Sequence, residues 1–416
     1  MRLKDISTLS PRYIGEPLTE KVSFVPMEGL RNGKVSCQEI PFNEGYKKYT
    51  YFRNEDLLVA KVTPCFENGN IAIAKDLQNG IGFGSSEFFV LRCNSKVINS
   101  YLFYLSQTSD FMGRACSTMC GVGGLKRIAP IFMRTYELEV PSLEDQKRIV
   151  SFLDSKLSKI EKTVSLLSQK KDAYLRLRKS IIDKAVTRGL DENVKLKDSG
   201  IDWMGEIPEN WFVYRLKDLG SLYSGLSGKS GEDFRCEDES LTKKYIPFTN
   251  ILNNFSIDKN DFKRVLMGKD EKQNRVMAND ILFLMSSEDY ESIAKSALIK
   301  DDVEELYLNS FCKGFRIYKR NVLPDFVNYQ LISSVFRDAL RFEARGFTRI
   351  NIRMDKISSM HVCLPDYKEQ KAIVDYLDEK CAKIDAIVAN VETQIEKYNQ
   401  LRKSLIDEVI TGKRKV

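Results

Sequence analysis

The sequence predicts an α+β protein built from two tandem mixed α/β modules, each followed by one long helix. Three observations carry that prediction. First, Pro141–Thr187 lies over Pro365–Thr411 at a constant offset of 224 without a gap, with 19 identities in 47 positions, the mark of an internal duplication. Second, apolar residues within each copy recur at alternating steps of four and three, the period of a helix with one continuous seam. Third, the stretches ahead of the two copies contain short β-branched and aromatic runs bounded by Gly, Asn and Ser, which read as strands.

The first module, residues 1–140, opens on "RLKDI" at Arg2–Ile6, answered in the second module, residues 211–364, by "RLKDL" at Arg215–Leu219. "DLL" at Asp56 answers "DIL" at Asp280, and "GSSEFFVLR" (Gly84–Arg92) answers "NSFCKGFRIYK" (Asn309–Lys319); the last two read as β-strands. Amphipathic helical stretches are expected at Asn99–Met112 and Asp325–Phe342, each leading to a Gly-and-Arg turn, "GVGGLKRI" or "ARGFTRINI". One departure stands at the front: Trp211 precedes the RLKD strand of the second module, whereas nothing precedes Arg2 except Met1, so the first strand of module one is open to doubt.

The first long helix is assigned to residues 141–188. Its seam runs through Leu153, Leu157, Ile160, Val164, Leu167, Tyr174 and Arg178. The second, residues 365–412, repeats it with Leu377, Ile384, Val388, Val391, Tyr398 and Arg402. Neither stretch contains Gly or Pro after its start, so each is one helix of roughly 45 residues, about 65 Å long. A small module cannot bury so long a helix, and the two seams are expected to pack on each other. Between them, residues 189–210 are polar and Gly-punctuated, the composition of a linker.

Composition narrows the function. No apolar run approaches the ~18 residues of a membrane span and no charged-then-apolar leader follows Met1, so a cytoplasmic protein is expected. Nine scattered cysteines argue against a disulfide framework, and with a single histidine, His361, and no CxxC there is no basis for a zinc site. The net charge of +7 is concentrated in residues 141–190, where twelve Lys and Arg face six Asp and Glu, a modest excess that permits a polyanionic partner. It equally fits a solvated helix face.

Catalytic signatures are missing. "GLSGKS" (Gly225–Ser230) has Tyr223 where a phosphate loop needs an upstream Gly, and reads as a turn. "PDYKEQK" at Pro365 places its acidic residues at a helix start, where they cap. His361 stands in the alternating "MHVCLP", so a strand residue is the simpler account of it than a catalytic one. There is no GxGxxG loop and no Asn/Asp-Pro-Pro-aromatic motif of amino-group methylation. The chain reads as one that binds and does not react.

With these residues in view, the chain resembles the specificity subunit of type I restriction-modification enzymes over nearly its full length. The resemblance is carried by the two helix starts at Pro141 and Pro365, of the form "P…(E/D)QKxIVxxLD", the two "LRKSxID" endings, and the central "SGIDWMGEIPENW". It implies that each module is a target recognition domain reading one half of a bipartite, asymmetric DNA sequence. It also implies that the helices pair as an antiparallel coiled coil with pseudo-two-fold symmetry, a spacer between half-sites. The implied partners are double-stranded DNA, two methyltransferase subunits and the ATP-driven restriction subunits; no cofactor is expected on this chain, since S-adenosylmethionine, ATP and Mg belong to those partners. A coiled-coil scaffold unrelated to DNA is the rival reading, and sequence-selective duplex binding separates the two.

Within that reading, Lys126 and Arg127 of the first module, and Arg345, Thr348, Arg349 and Asn351 of the second, are the candidate DNA-facing residues, because they sit in Gly-containing turns that allow close backbone approach. Ser85, Ser86, Lys229, Ser286 and Ser287 are secondary candidates. The alternative is that these arginines solvate or pair with local carboxylates. Arg178 and Arg402 share one seam position, where a charge either sets helix register, marks a partner's docking point, or reaches out along its aliphatic stem.

Overall fold

The structure is a computed structural model and describes residues 1–14, 21–31, 33–41, 48–122, 124–236, 238, 240–268 and 270–416. The chain divides into two compact units, Met1–Gln169 with Val391–Val416, and Lys170–Asn390.

In the first unit, the strands Ser7–Leu9, Phe88–Cys93, Leu57–Ala60 and Ile71–Ile73 form an antiparallel sheet in that spatial order. A second sheet orders Gln38–Pro41, Lys21–Val25, Ile81–Gly84 and Thr50–Arg53, with Lys21–Val25 and Ile81–Gly84 parallel. The second unit repeats the plan. Gly220–Ser224, Cys312–Ile317, Ile281–Leu284 and Ser296–Leu298 make the antiparallel sheet, and Lys263–Leu266, Thr242–Ile246 and Leu306–Leu308 the mixed one. Leu57–Ala60 and Ile281–Leu284 are buried throughout, which explains their unbroken apolar character.

One ion pair anchors each antiparallel sheet. Asp56, nearly fully buried, accepts two hydrogen bonds from Arg92 at 2.8 and 2.7 Å, and Asp280 accepts two from Arg316 at 2.9 and 2.7 Å. All four residues obey the offset of 224 seen in the long helices, so the duplication extends through the modules.

The long helices run from Leu143 to Arg188 and from Tyr367 to Ile410. Both start on a polar cap: Ser142 Oγ accepts the Asp145 amide and Asp366 the Glu369 amide. Inside the first unit, Leu153, Leu157 and Ile160 of the first helix are buried with Leu405, Ile406 and Val409 of the second, and Val164 lies near Tyr398. Residues early in one helix meet residues late in the other, so the pairing is antiparallel. Inside the second unit, Ile182, Ala185 and Val186 share a core with Ile373, Leu377 and Cys381, again antiparallel. Every predicted seam position is buried or half-buried. The seam arginines find different partners: Arg178 Nε lies 3.0 Å from Asp385, and Arg402 donates to Gln107 at 3.0 Å.

A ring of polar contacts ties each module to both helices, identically in the two units. Gln146, fully buried, accepts from the Ile98 amide and donates to the carbonyls of Lys96 and Pro141; Gln370 does the same with Leu323, Asn321 and Pro365. Tyr104 donates to Asp154, and Tyr329 to Asp378. Asp407 accepts both the amide and the hydroxyl of Ser109, and Asp183 both those of Ser334.

Three expectations are corrected. The helical stretches expected at Asn99–Met112 and Asp325–Phe342 are each two helices, Asn99–Leu105 with Ser109–Ser117, and Pro324–Ile332 with Ser334–Glu343. Thr108 and Ser333 take extended conformations there, because the amide that follows is turned to the long-helix aspartate. The RLKD segments are not strands: Leu3–Asp5 and Leu216–Asp218 are single 3-10 turns, closed when Asp5 and Asp218 accept the amides of Arg2 and Arg215. A strand does precede the second, Phe212–Arg215 paired with His361–Leu364, whereas in the first unit a lone bridge, Arg2 with Glu137, stands in its place. His361 is thus a strand residue, as its alternation predicts. Finally, the polar stretch of residues 189–210 is ordered, with a hairpin of Leu196–Asp198 and Glu206–Pro208 that buries Ile207, while Trp211 next to it is fully buried and donates to Glu369 at 3.1 Å. Its few apolar residues suffice because Met204 and Ile207 join the core of the second unit and Ile201 and Trp203 pack against it.

Candidate nucleic-acid interface

In the second unit the Gly-and-Arg turn is a closed loop. Arg345 and Asn351 exchange backbone hydrogen bonds of 2.9 and 2.8 Å, and Ile350–Asn351 pairs with Ser286–Ser287. Gly346 makes the closure possible: its φ is +145°, and a Cβ there would stand 2.1 Å from the Arg349 carbonyl oxygen. The Tyr290 hydroxyl donates to the Gly346 carbonyl at 3.2 Å, and Asn351 donates to that of Arg349. Arg349 donates from Nε to Ser286 Oγ at 2.8 Å, and its guanidinium lies 4.6 Å over the Phe311 ring. Arg345 donates to the carbonyls of Phe342 and Ala344, while Thr348 points to solvent. Ser287 Oγ accepts the Asp289 amide.

The first unit builds its turn as a hairpin of Cys120–Val122 and Leu125–Arg127; Gly123 lies outside the described residues. Thr63 fastens it, accepting the Lys126 amide at 3.0 Å and donating to the Gly124 carbonyl at 2.8 Å. Arg127 forks onto Glu87 at 2.9 and 3.0 Å, which raises the guanidinium's pKa and holds the carboxyl below its ordinary value. Lys61 donates to the Ser86 carbonyl at 2.6 Å and sits over Phe89, where burial lowers its pKa. Ser85 Oγ accepts the Glu87 amide. The Lys126 side chain is exposed.

The fold therefore gathers Ser287, Arg345, Arg349 and Asn351 on one surface, and Ser85, Ser86, Lys126 and Arg127 on another; Ser286, expected to face DNA, is instead buried beneath the first group, where its hydroxyl holds Arg349. Lys229 joins neither group; its side chain is only 7% exposed and its ammonium is held by Glu271, which also accepts from Gln273. Lys61, Thr63, Glu87, Tyr290 and Phe311 are the residues that sequence reasoning missed. The offset of 224 held a clue: it sets Thr63 opposite Ser287 and Glu87 opposite Phe311, the first pair meeting the turn, by a hydroxyl in one unit and by backbone pairing in the other, and the second pair holding its arginine, by a carboxylate and by a ring.

A model of the type I restriction modification DNA specificity domain matches residues 1–171 and again 208–397. The chain belongs to this family. Among relatives within the specificity family, the MjaVIII specificity subunit of Methanocaldococcus jannaschii is 24% identical over 97% of this chain and 88% of its own length. The EcoAI specificity subunit of Escherichia coli is 29% identical over half of this chain, which spans only 34% of that subunit. Among solved structures, one from a study of complex assembly and conformational transition of the type I R-M system aligns over 99% of this chain and 96% of its own, at a TM-score of 0.73 and 15% identity. The HsdS subunit of Thermoanaerobacter tengcongensis aligns over 99% and 96%, with a TM-score of 0.51 and 17% identity. Specificity-family membership leaves the DNA-unrelated scaffold without support. No helix among the described residues is long and apolar enough to cross a membrane.

Proposed function

We propose that this chain is the non-catalytic specificity subunit of a cytoplasmic type I restriction-modification enzyme, reading a bipartite, asymmetric DNA target with one half-site per module. The observation that supports it best is the repeated turn: in both units a Gly-shaped loop, braced by the Thr63 hydroxyl in one and by the Ser286–Ser287 strand in the other, offers basic and polar side chains at the surface. Such side chains contact phosphates and base edges. Lys126 and Arg127 would serve one half-site and Arg345, Thr348, Arg349 and Asn351 the other, with Ser85, Ser86, Ser286 and Ser287 behind them. Lys229, already paired, would contribute through the fold of its loop.

Two methyltransferase subunits and the restriction subunits are the proposed protein partners; S-adenosylmethionine, ATP and Mg are assigned to them, and none to this chain. The paired helices serve as the spacer between half-sites. Sequencing methylated sites in cells that express the chain with its methyltransferase partner tests the reading. A split motif with an unread gap is the expected result, and methylation independent of this chain would overturn it.

A further inference from the structure

The loop of the second unit carries a group its polar chemistry does not use. Phe347 is fully exposed, at 103% of the reference area, midway between Arg345 and Arg349. Phe342 and Phe311, 76% and 52% exposed, lie under the two guanidiniums. Burial of a Phe side chain is favourable, so a ring at the tip of a loop forgoes that gain in the free protein. The loop is also stiff, held by the Arg345–Asn351 pair, by Gly346 and by Tyr290. No carboxylate occurs from Arg345 to Asn351; the nearest in sequence, Glu343, is paired with Lys356 at 2.6 Å, and Asp289, which follows the paired strand, is capped by the amide and hydroxyl of Ser292. An apolar blade between two cations on a rigid support matches a polyanion with an apolar interior. The corresponding hairpin of the first unit likewise exposes Val122 and Leu125 beside Lys126 and Arg127.

We propose that Phe347 is a specificity-determining wedge, which enters a base step of duplex DNA while Arg345 and Arg349 hold the flanking backbone or base edges. This rests on the DNA-reading function proposed above. Apolar wedges partly unstack a step and kink the duplex, and steps differ in how readily they yield, so Phe347 would read deformability at a position to which it makes no hydrogen bond.

The test uses the full chain assembled with its methyltransferase subunits, on duplexes carrying the target found by methylation mapping. 2-Aminopurine replaces each adenine of the half-sites in turn, and end-to-end energy transfer reports bending. Wild type should raise 2-aminopurine fluorescence at one step or shorten the end-to-end distance. Phe347→Ala should abolish that signal and weaken binding roughly ten- to a hundred-fold, with an unchanged salt slope because no phosphate contact is lost. Phe347→Trp should keep the signal, and neither change should lower the melting temperature of so exposed a site.

Wild-type binding with neither unstacking nor bending, or Phe347→Ala behaving as wild type, would overturn the wedge while leaving DNA reading intact. So would loss of methyltransferase assembly in Phe347→Ala before DNA is added, which would show the ring covered by a protein. A wild-type complex with no sequence preference at all would overturn the functional reading along with it.

Discussion

Arg349 shows how one side chain can be poised without being spent. Its Nε is held by Ser286 and its face by Phe311, which leaves the outer edge of the fork for an incoming acceptor. Arg349→Ala is expected to cost about 1–3 kcal/mol of specific binding and relax one position of one half-site; methylated-site sequencing reads this directly. Gly346→Ala should be worse for the loop than for the fold, since its Cβ would strike the Arg349 carbonyl at 2.1 Å in a left-handed conformation. Binding should fall with little change in melting temperature. The candidate arginines were legible in the sequence because Gly beside Arg in a turn is a local signal. Phe311 and Tyr290 were not, because the fold brings them from distant strands and loops to the loop they support. Lys229 misled for the same reason: its partner Glu271 lies on another segment, and nothing near Lys229 in the chain announces the pairing.

At the scale of elements, the seam of each long helix was readable as a period, whereas the polar ring that fixes the modules to it was not. Asp183 and Asp407 look like ordinary surface residues of an "SxID" ending, yet each caps the start of a short helix by capturing the amide and hydroxyl of its first serine. The two-helix break they impose has no Gly or Pro to mark it, which is why one continuous helix was the natural expectation. Asp183→Ala should destabilise the second unit by about 1–3 kcal/mol through the orphaned Ser334 groups, and a double change with Ser334→Ala should cost less than the sum. Thermal unfolding of the four variants measures it. Arg178→Leu is a gentler change, since it removes an ion pair with Asp385 that is more than half exposed on the acidic side. The monomer should stay folded; unchanged stability together with unchanged methyltransferase assembly would exclude a role in either register or docking.

For the whole molecule, the spacer proposal gives a measurable length. Inserting one heptad between Leu167 and Ser168 and another between Val391 and Glu392 keeps both seams in phase and adds roughly 10 Å to each helix. The half-site sequences should persist while the unread gap grows by up to about three base pairs. An active enzyme with its original gap would leave the helices as scaffold alone. The duplication that suggested this arrangement was legible end to end, but not the way it partitions the chain. The second unit is one uninterrupted stretch, Lys170–Asn390, while the first needs Val391–Val416 to cover Leu153, Leu157 and Ile160 and to give Ser109 its aspartate, 298 residues away. On the ribosome the order of completion is therefore inverted. The module made first waits with an uncovered apolar stripe until Val391–Val416 emerge, and the module made second can finish before it. Truncation just before Val391 would strand the N-terminal half in that waiting state, aggregation-prone although none of its own strands has been touched.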